Sequence, residues 1–312
     1  MPNGLLLIDK PDGMRSADCV DRARRALGRG VRVGHAGTLD STASGLLVLL
    51  IGAATRLSDD VMSLPKRYSA TVALGRTTDT CDRSGQTIFE GDASCVGDDD
   101  IDRALLSFLG WRMQRPPEIS ALKIGGRPAH ALARAGQDVA LAPRPIFVRS
   151  ITRASPVADG QVSIDVMCGK GTYVRSLARD LGERLGCGAS LSSLRRLTIG
   201  PFDVGKASSL ADAEALALGE LPLMSPREVV RAFQRIDLTA DAEARLLHGQ
   251  GVPMAAAGRC VSGAVASGRR IHVEGRRMIG TAERREAYGV VMLEPRMNLL
   301  LDDEDIARGA EA

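Results

Sequence analysis

The chain has 312 residues, 44% of them hydrophobic, enough for one large or two ordinary domains with a buried core. Its 41 basic and 38 acidic residues leave a formal charge of +3, which excludes a histone-like polycation and permits a nucleic-acid partner without requiring one. The six cysteines have no paired CxxC spacing and the four histidines lie far apart, so neither a zinc site nor a disulfide framework is expected; without a signal-peptide core after Met1, the chain reads as reduced and cytoplasmic, with no membrane segment.

Leu5 to Ile8 reads as a short buried strand, stopped by Asp9-Lys10-Pro11-Asp12-Gly13. Ser16 is placed to cap a helix whose stripe is Cys19, Val20, Ala23 and Leu27, with Arg22, Arg24 and Arg25 off the stripe and Gly28 as its stop. Next comes Gly34-His35-Ala36-Gly37-Thr38-Leu39-Asp40-Ser41-Thr42-Ala43-Ser44-Gly45, a single acid between glycines, which suggests a shaped loop. Spacing alone leaves Asp40 open as a turn acid or as a reacting group. Leu46 to Ile51 is too short to span a bilayer and suits a strand buried on both faces, which would anchor that loop.

Ala53 to Met62 is expected to be helical and Lys66 to Gly75 a strand, with Tyr68, Ala70, Val72 and Leu74 on one face. A tyrosine at the start of such a face is ordinarily core. Thr77 to Gly85, with Asp79 and Asp82, reads as a hairpin turn. After a polar loop from Gly91 to Asp100, Ile101, Ala104, Leu105 and Phe108 form a helix stripe; Pro116-Pro117 then stiffen an extended segment and Gly125-Gly126 give the chain beyond them its freedom.

Val162, Ile164, Val166 and Cys168 alternate as a strand, and Gly169-Lys170-Gly171 turns into a helix with Val174, Leu177, Ala178, Leu181 and Leu185 on its buried stripe. Arg175 sits at the margin of that stripe, where it can point inward at a carboxylate, and Arg179 one turn later is its control. The Gly-Lys-Gly-Thr run is not a phosphate loop, because Ile164 stands where the first glycine of that motif belongs. Ser208 to Arg231 reads as helical linker, with a boundary near Gln234. Beyond it, a helix from Leu238 to His248 precedes short strands in which Arg269 to Val273 is expected to pair with Gly289 to Leu293 in a small β barrel, and the last dozen residues read as a frayed tail.

The glycine-flanked motif, taken in order with Lys10-Pro11-Asp12-Gly13, Lys66-Arg67-Tyr68, Ser120-Ala121-Leu122-Lys123 and Gly171-Thr172-Tyr173-Val174-Arg175, resembles the TruB family of tRNA pseudouridine synthases. The resemblance implies an α+β fold with a mixed, largely antiparallel sheet flanked by helices, followed by a small C-terminal PUA-like β barrel. It divides the chain into a catalytic domain over 1–233, an RNA-binding domain over 234–300 and a tail over 301–312. The catalytic part would include an RNA-gripping insertion near 124–149, with Arg127, His130, Arg134 and Arg144 as candidate phosphate contacts, and the linker near 208–233.

The implied activity is isomerisation of uridine 55 in the T loop of tRNA, without metal or cofactor and without a guide RNA or protein partner. Asp40 matches the family's catalytic aspartate, Arg175 its ion-pair partner and Tyr68 the tyrosine that stacks on the target base. His35 matches the residue that fills the space left by the flipped base, while Tyr173, Leu194, Lys10 and Lys123 are expected at the substrate. Two departures stand out: Ser41-Thr42 where the family usually has Pro-Leu, and Ile119 where a tyrosine is usual. A non-catalytic tRNA-binding protein on the same scaffold is the alternative, and an Asp-nucleophile phosphatase is disfavoured because Thr42 occupies the place of its second acid.

Overall fold

The structure, a computed structural model, describes residues 2–119, 123–124, 127–128, 141–210, 223–266, 270–287 and 289–310. In chain order, β1 (Gly4–Lys10) leads into helix α1 (Ser16–Leu27), then β2 (Val33–Ala36), β3 (Ala43–Ile51), helix α2 (Ser58–Ser63) and β4 (Lys66–Leu74). A hairpin of β5 (Arg76–Thr78) and β6 (Thr87–Glu90) precedes helix α3 (Asp98–Leu106), β7 (Gly110–Gln114) and the two-residue strands β8 (Lys123–Ile124) and β9 (Arg127–Pro128). Then come β10 (Arg144–Arg153), β11 (Gln161–Cys168), helix α4 (Val174–Leu185), β12 (Ala189–Ile199), β13 (Phe202–Asp203) and β14 (Ser208–Ser209).

These strands build a ten-stranded sheet in the order β14-β1-β3-β12-β4-β11-β10-β7, with β2 on β3 and β13 on β12. All its pairings are antiparallel except β1 with β14 and β3 with β12, so the mixed, largely antiparallel expectation holds. β3 explains its unbroken apolar run by burying both faces: Leu46, Val48 and Leu50 enter one core and Leu47, Leu49 and Ile51 another. The Tyr68, Ala70, Val72, Leu74 face packs with α3 and α4 in a third core.

Several local expectations need correction. Gly34 and His35 lie on β2, paired to β3, so the shaped loop is shorter and begins at Gly37. The 53–62 helix is split into a 3-10 turn over Gly52–Leu57 and α2. Residues 144–149 of the expected insertion are the start of β10 in the main sheet; residues 125–126 and 129–140, with His130 and Arg134, lie outside the described residues, as does 211–222 of the expected linker.

The C-terminal part begins with helix α5 (Arg227–Arg231) and contains a six-stranded sheet. Its strands are β15 (Arg235–Leu238), β16 (Val252–Pro253), β17 (Gly258–Val261), β18 (Arg270–Glu274), β19 (Met278–Ala287) and β20 (Val290–Leu300), ordered β16-β20-β19-β18-β15-β17. The expected pairing of 269–273 with 289–293 does not form, because β19 lies between β18 and β20. The Glu283-Arg284-Arg285-Glu286 run hides β19 in the sequence, while its buried Met278, Ile279 and Ala282 hold it in the sheet. Residues 303–310 are a helix, and Ile306 packs on the core, so the 301–312 tail is not simply frayed.

One core crosses position 234: Leu5, Leu7, Val48 and Leu50 pack with Val229, Val230, Phe233, Ile279, Leu299 and Leu301. Alongside it, buried Glu274 takes ion pairs from Arg227 (2.9 Å), Arg231 (3.0 Å) and Arg235 (2.9 Å), so its charge is compensated three times over. Among the described residues no helix is long and apolar enough to cross a membrane.

Candidate active site

The loop carrying Asp40 is pinned by its backbone on both sides. One residue before the acid, Leu39 N–H donates to Ser16 Oγ and the same hydroxyl donates to Leu39 O, both at 2.9 Å. Ser16 is thus inside α1 and spends its side chain on the loop, which corrects its reading as a helix cap; Asp18 instead accepts from the Arg15 backbone N–H. One residue after the acid, Gly13 N–H donates to Ser41 O at 2.8 Å, and Ala43 N–H closes the turn on Asp40 O at 3.1 Å. The Pro11-Asp12-Gly13 turn therefore supports the loop through its backbone.

Helix α4 delivers Arg175. Its side chain is 6% exposed, and Nε lies 2.8 Å from Asp40 Oδ2 as an ion pair without hydrogen-bond alignment. The other two guanidinium nitrogens donate to Thr80 O (2.8 Å) and Ile119 O (3.1 Å), which fixes the fork in place. Arg179 is not solvent-facing either: it pairs with Asp180 at 2.7 Å and donates to Arg115 O. The departure at 119 uses only a backbone carbonyl at this contact.

A second acid, Asp82, stands behind Arg175, with Oδ2 3.9 Å from Nε. It is 5% exposed and accepts from Thr42 Oγ1 (3.0 Å), Thr80 Oγ1 (2.7 Å), Ser84 Oγ (2.6 Å) and Ser84 N (2.9 Å). Burial pushes its pKa up, but the Ser84 and Thr80 hydrogen bonds and the Arg175 charge outweigh burial and hold it below the usual carboxylate range. In the sequence Asp82 reads only as a turn residue, because a 77–85 turn does not reveal what it folds against.

Tyr68 lines the site from β4. Burial pushes its phenol up, against the opposing pull of Arg196, so the ring is neutral at physiological pH. Arg196 is a second residue the sequence did not single out. It is 1% exposed, lies across from Tyr68 on β12, and donates to Leu46 O and Gly37 O, each at 2.8 Å. It thereby ties the strand after the catalytic loop to the strand of the tyrosine. Gly45, at φ 100°, is what lets β12 approach: a Cβ there would sit 2.8 Å from Arg196 N and closer still to its carbonyl oxygen. Lys66 donates to Met62 O and to Leu64 O (2.6 Å), and burial first, then Arg196, lowers its pKa to about 8.

These groups open into a cleft of about 1230 Å³ lined by Asp40, Tyr68, Tyr173, Arg175, Leu194 and Arg196, among others. Its far wall comes from α2 and the C-terminal part: Asp60, Phe233, Val265, Arg270 and His272. There His272 stacks on Phe233 (centroids 4.0 Å apart, 12° between planes), with Nε2 3.2 Å from Asp60 Oδ1. Nothing in the sequence pattern showed that the second sheet would share the cleft. Tyr173 is held by its backbone, donating to Gln114 Oε1 and accepting from Gln114 Nε2.

Two of the expected substrate residues stand elsewhere. Lys10 is fully buried and donates to Pro11 O (2.9 Å) and Met14 O (2.7 Å), so it braces the turn beside the loop and does not line the cleft. Burial lowers its pKa. His35 also lies off the cleft lining, on β2; burial pushes its imidazole down and keeps it neutral. Lys123 has its backbone on β8, and its side chain lies outside the described residues.

Comparison with known proteins points to one family. The family model "TruB family pseudouridylate synthase (N terminal domain)" matches residues 24–174, and "tRNA pseudouridylate synthase B C-terminal domain" matches 175–222. The chain is 41% identical over 253 residues to tRNA pseudouridine synthase B of Syntrophotalea carbinolica, covering 80% of this chain and 81% of that one. It is 44% identical over 260 residues to the protein of the same name from Aromatoleum aromaticum (82% and 83% covered), and 38% over 294 residues to that of Burkholderia mallei (94% and 96%). Among solved structures, a Cbf5-Nop10-Gar1 complex contains a chain that superposes with a TM-score of 0.73 at 24% identity, covering 95% of this chain and 84% of that one. The archaeal box H/ACA sRNP Nop10-Cbf5 complex gives 0.69 at 21% identity, covering 97% and 88%; both likenesses speak for the fold alone. By relatives of this identity over most of both chains, the protein belongs to the TruB family of pseudouridylate synthases.

Proposed function

We propose that the protein isomerises uridine 55 in the T loop of tRNA to pseudouridine, acting alone, without guide RNA or protein partner. The observation that carries this reading is the Asp40–Arg175 pair at 2.8 Å on the floor of a cleft walled by Tyr68. Pseudouridine formation breaks the bond from the ribose carbon to a base nitrogen, turns the base, and rejoins it through a base carbon, so it conserves atoms and needs no cofactor. The site must offer a carboxylate to a sugar carbon that becomes electron-poor, and it must keep the detached base. Asp40 supplies the carboxylate, and the fixed guanidinium of Arg175 pairs with it and keeps it aimed. Tyr68 and Leu194 border the space for the base.

Turning the uridine out of its stack costs a few kcal/mol, and stacking on one aromatic returns about 1–3 kcal/mol. Residues 1–233 are read as the catalytic domain and 234–300 as a PUA-like RNA-binding domain, the latter contributing Arg270 and His272 to the cleft wall. The test is pseudouridine mapping in an unmodified tRNA transcript incubated with the wild type or with Asp40→Asn. A single new pseudouridine in the T loop, absent with the variant, supports the reading. Tight tRNA binding with no modification by the wild type overturns it in favour of a non-catalytic RNA-binding protein.

A further inference from the structure

We propose that Thr42 is a positioning residue that keeps Arg175 on Asp40 by giving the competing acid, Asp82, a donor of its own. The proposal rests on the synthase reading above for the role of Asp40, and on geometry for the rest. Two carboxylate oxygens face one guanidinium Nε: Asp40 Oδ2 at 2.8 Å and Asp82 Oδ2 at 3.9 Å. The remaining Arg175 nitrogens are committed to Thr80 O and Ile119 O, so Nε is the group the two acids share. Asp82 Oδ1 already has Thr80 and Ser84 as donors, whereas Thr42 Oγ1 at 3.0 Å is the hydrogen-bond donor to Oδ2.

The competition is unequal. The Asp82 side chain is 7% exposed and that of Asp40 42%. A buried carboxylate oxygen deprived of a donor recruits the nearest one, while an exposed carboxylate turns to water at little cost. Without the Thr42 hydroxyl, Asp82 Oδ2 turns to the fixed Arg175 Nε, which then serves two acids and holds Asp40 less firmly. The same hydrogen bond joins the catalytic loop to the 79–84 turn, two residues past Asp40. It lies beside Ser41, where the family's stiffening proline is missing.

Thr42→Val keeps the shape and removes the donor; Thr42→Ser restores it. The experiment measures kcat and KM for pseudouridine formation in a tRNA transcript, together with hydrogen–deuterium exchange of the peptide covering 37–45. Thr42→Val is expected to lower kcat about ten-fold with KM within about two-fold, and Thr42→Ser to recover it to within about three-fold. Thr42→Val with wild-type kcat, or equal losses in both variants, overturns the proposal. If the wild type makes no pseudouridine, the synthase reading fails separately and exchange decides the matter of Thr42. Faster exchange in Thr42→Val than in wild type and Thr42→Ser supports the hydrogen-bonded hold, and equal exchange in all three refutes it.

Discussion

Arg175 reaches Asp40 from inside the protein: its side chain is 6% exposed, yet Nε meets, at 2.8 Å, an acid whose side chain is 42% open to the cleft. A fixed charge thus sits on the dry side of a carboxylate that a substrate approaches from the wet side. The fork is held by Thr80 O and Ile119 O, so lysine cannot replace it: an ammonium has one nitrogen for three partners. Arg175→Lys is expected to lower kcat for pseudouridine formation about a hundred-fold while tRNA affinity changes little, as loss of one preorganised electrostatic contact does. Steady-state kinetics beside a filter-binding titration check this, and an equal loss of affinity would show that Arg175 binds tRNA directly.

The pair was within reach of sequence reasoning, but its surroundings were not. β3, the Tyr68 face and α4 announce themselves because an apolar run, a period of two and a period of 3.6 each report which face of an element is buried. The margin position of Arg175 on α4 even indicated an inward-pointing guanidinium. Periodicity does not say what that face meets. Asp82 read as a turn residue and Ser16 as a cap, and Arg196 was not singled out, because the partners that give them their roles are distant: Thr42 is 40 residues from Asp82, Leu46 and Gly37 are 150 and 159 from Arg196, and Leu39 is 23 from Ser16. The cleft wall of Phe233 and His272 was hidden for the same reason. β19 was hidden by the charges on its exposed end.

Ser16 offers a test of how far loop order governs the reaction. Its hydroxyl is buried and makes two hydrogen bonds, both to the Leu39 backbone, one residue from Asp40. Ser16→Ala leaves the Leu39 N–H and C=O unpaired in a buried place, which costs about 1–3 kcal/mol. Chemical denaturation is expected to show that loss, and kcat is expected to fall further than KM rises, because the aim of Asp40 is disturbed and the cleft is not. A variant that is destabilised but turns over at the wild-type rate would show that Gly13 and Thr42 hold the loop without Ser16.

Gly45 pairs with Arg196 at the end of the short parallel ladder between β3 and β12. Alanine there would meet the Arg196 backbone and would have to adopt φ 100°, a region L residues rarely enter. Overpacking and backbone strain together are expected to cost about 3 kcal/mol or more. The urea midpoint of Gly45→Ala should drop accordingly with an unchanged m-value. An unaltered midpoint would mean that β12 can shift away from β3 without penalty.

Lys66 gives stability a specific pH dependence. Its amine is buried and its pKa is lowered from 10.5 to about 8, first by burial and then by the Arg196 charge. Between about pH 8 and 10.5 the unfolded chain holds this proton and the folded chain does not, so the group makes folding more favourable as pH rises through that window. Below about pH 8 the folded protein carries the full penalty of a buried ammonium, partly offset by the Met62 and Leu64 carbonyls it donates to. Lys66→Met removes the titration, so the stability difference between wild type and variant should shift in the wild type's favour from pH 8 to pH 10.5, by on the order of 3 kcal/mol. Taking the difference cancels the other lysines, tyrosines and cysteines that titrate in the same range. Urea unfolding of both proteins across this window provides the measurement, and parallel pH profiles would mean that Lys66 keeps an ordinary pKa in the folded protein.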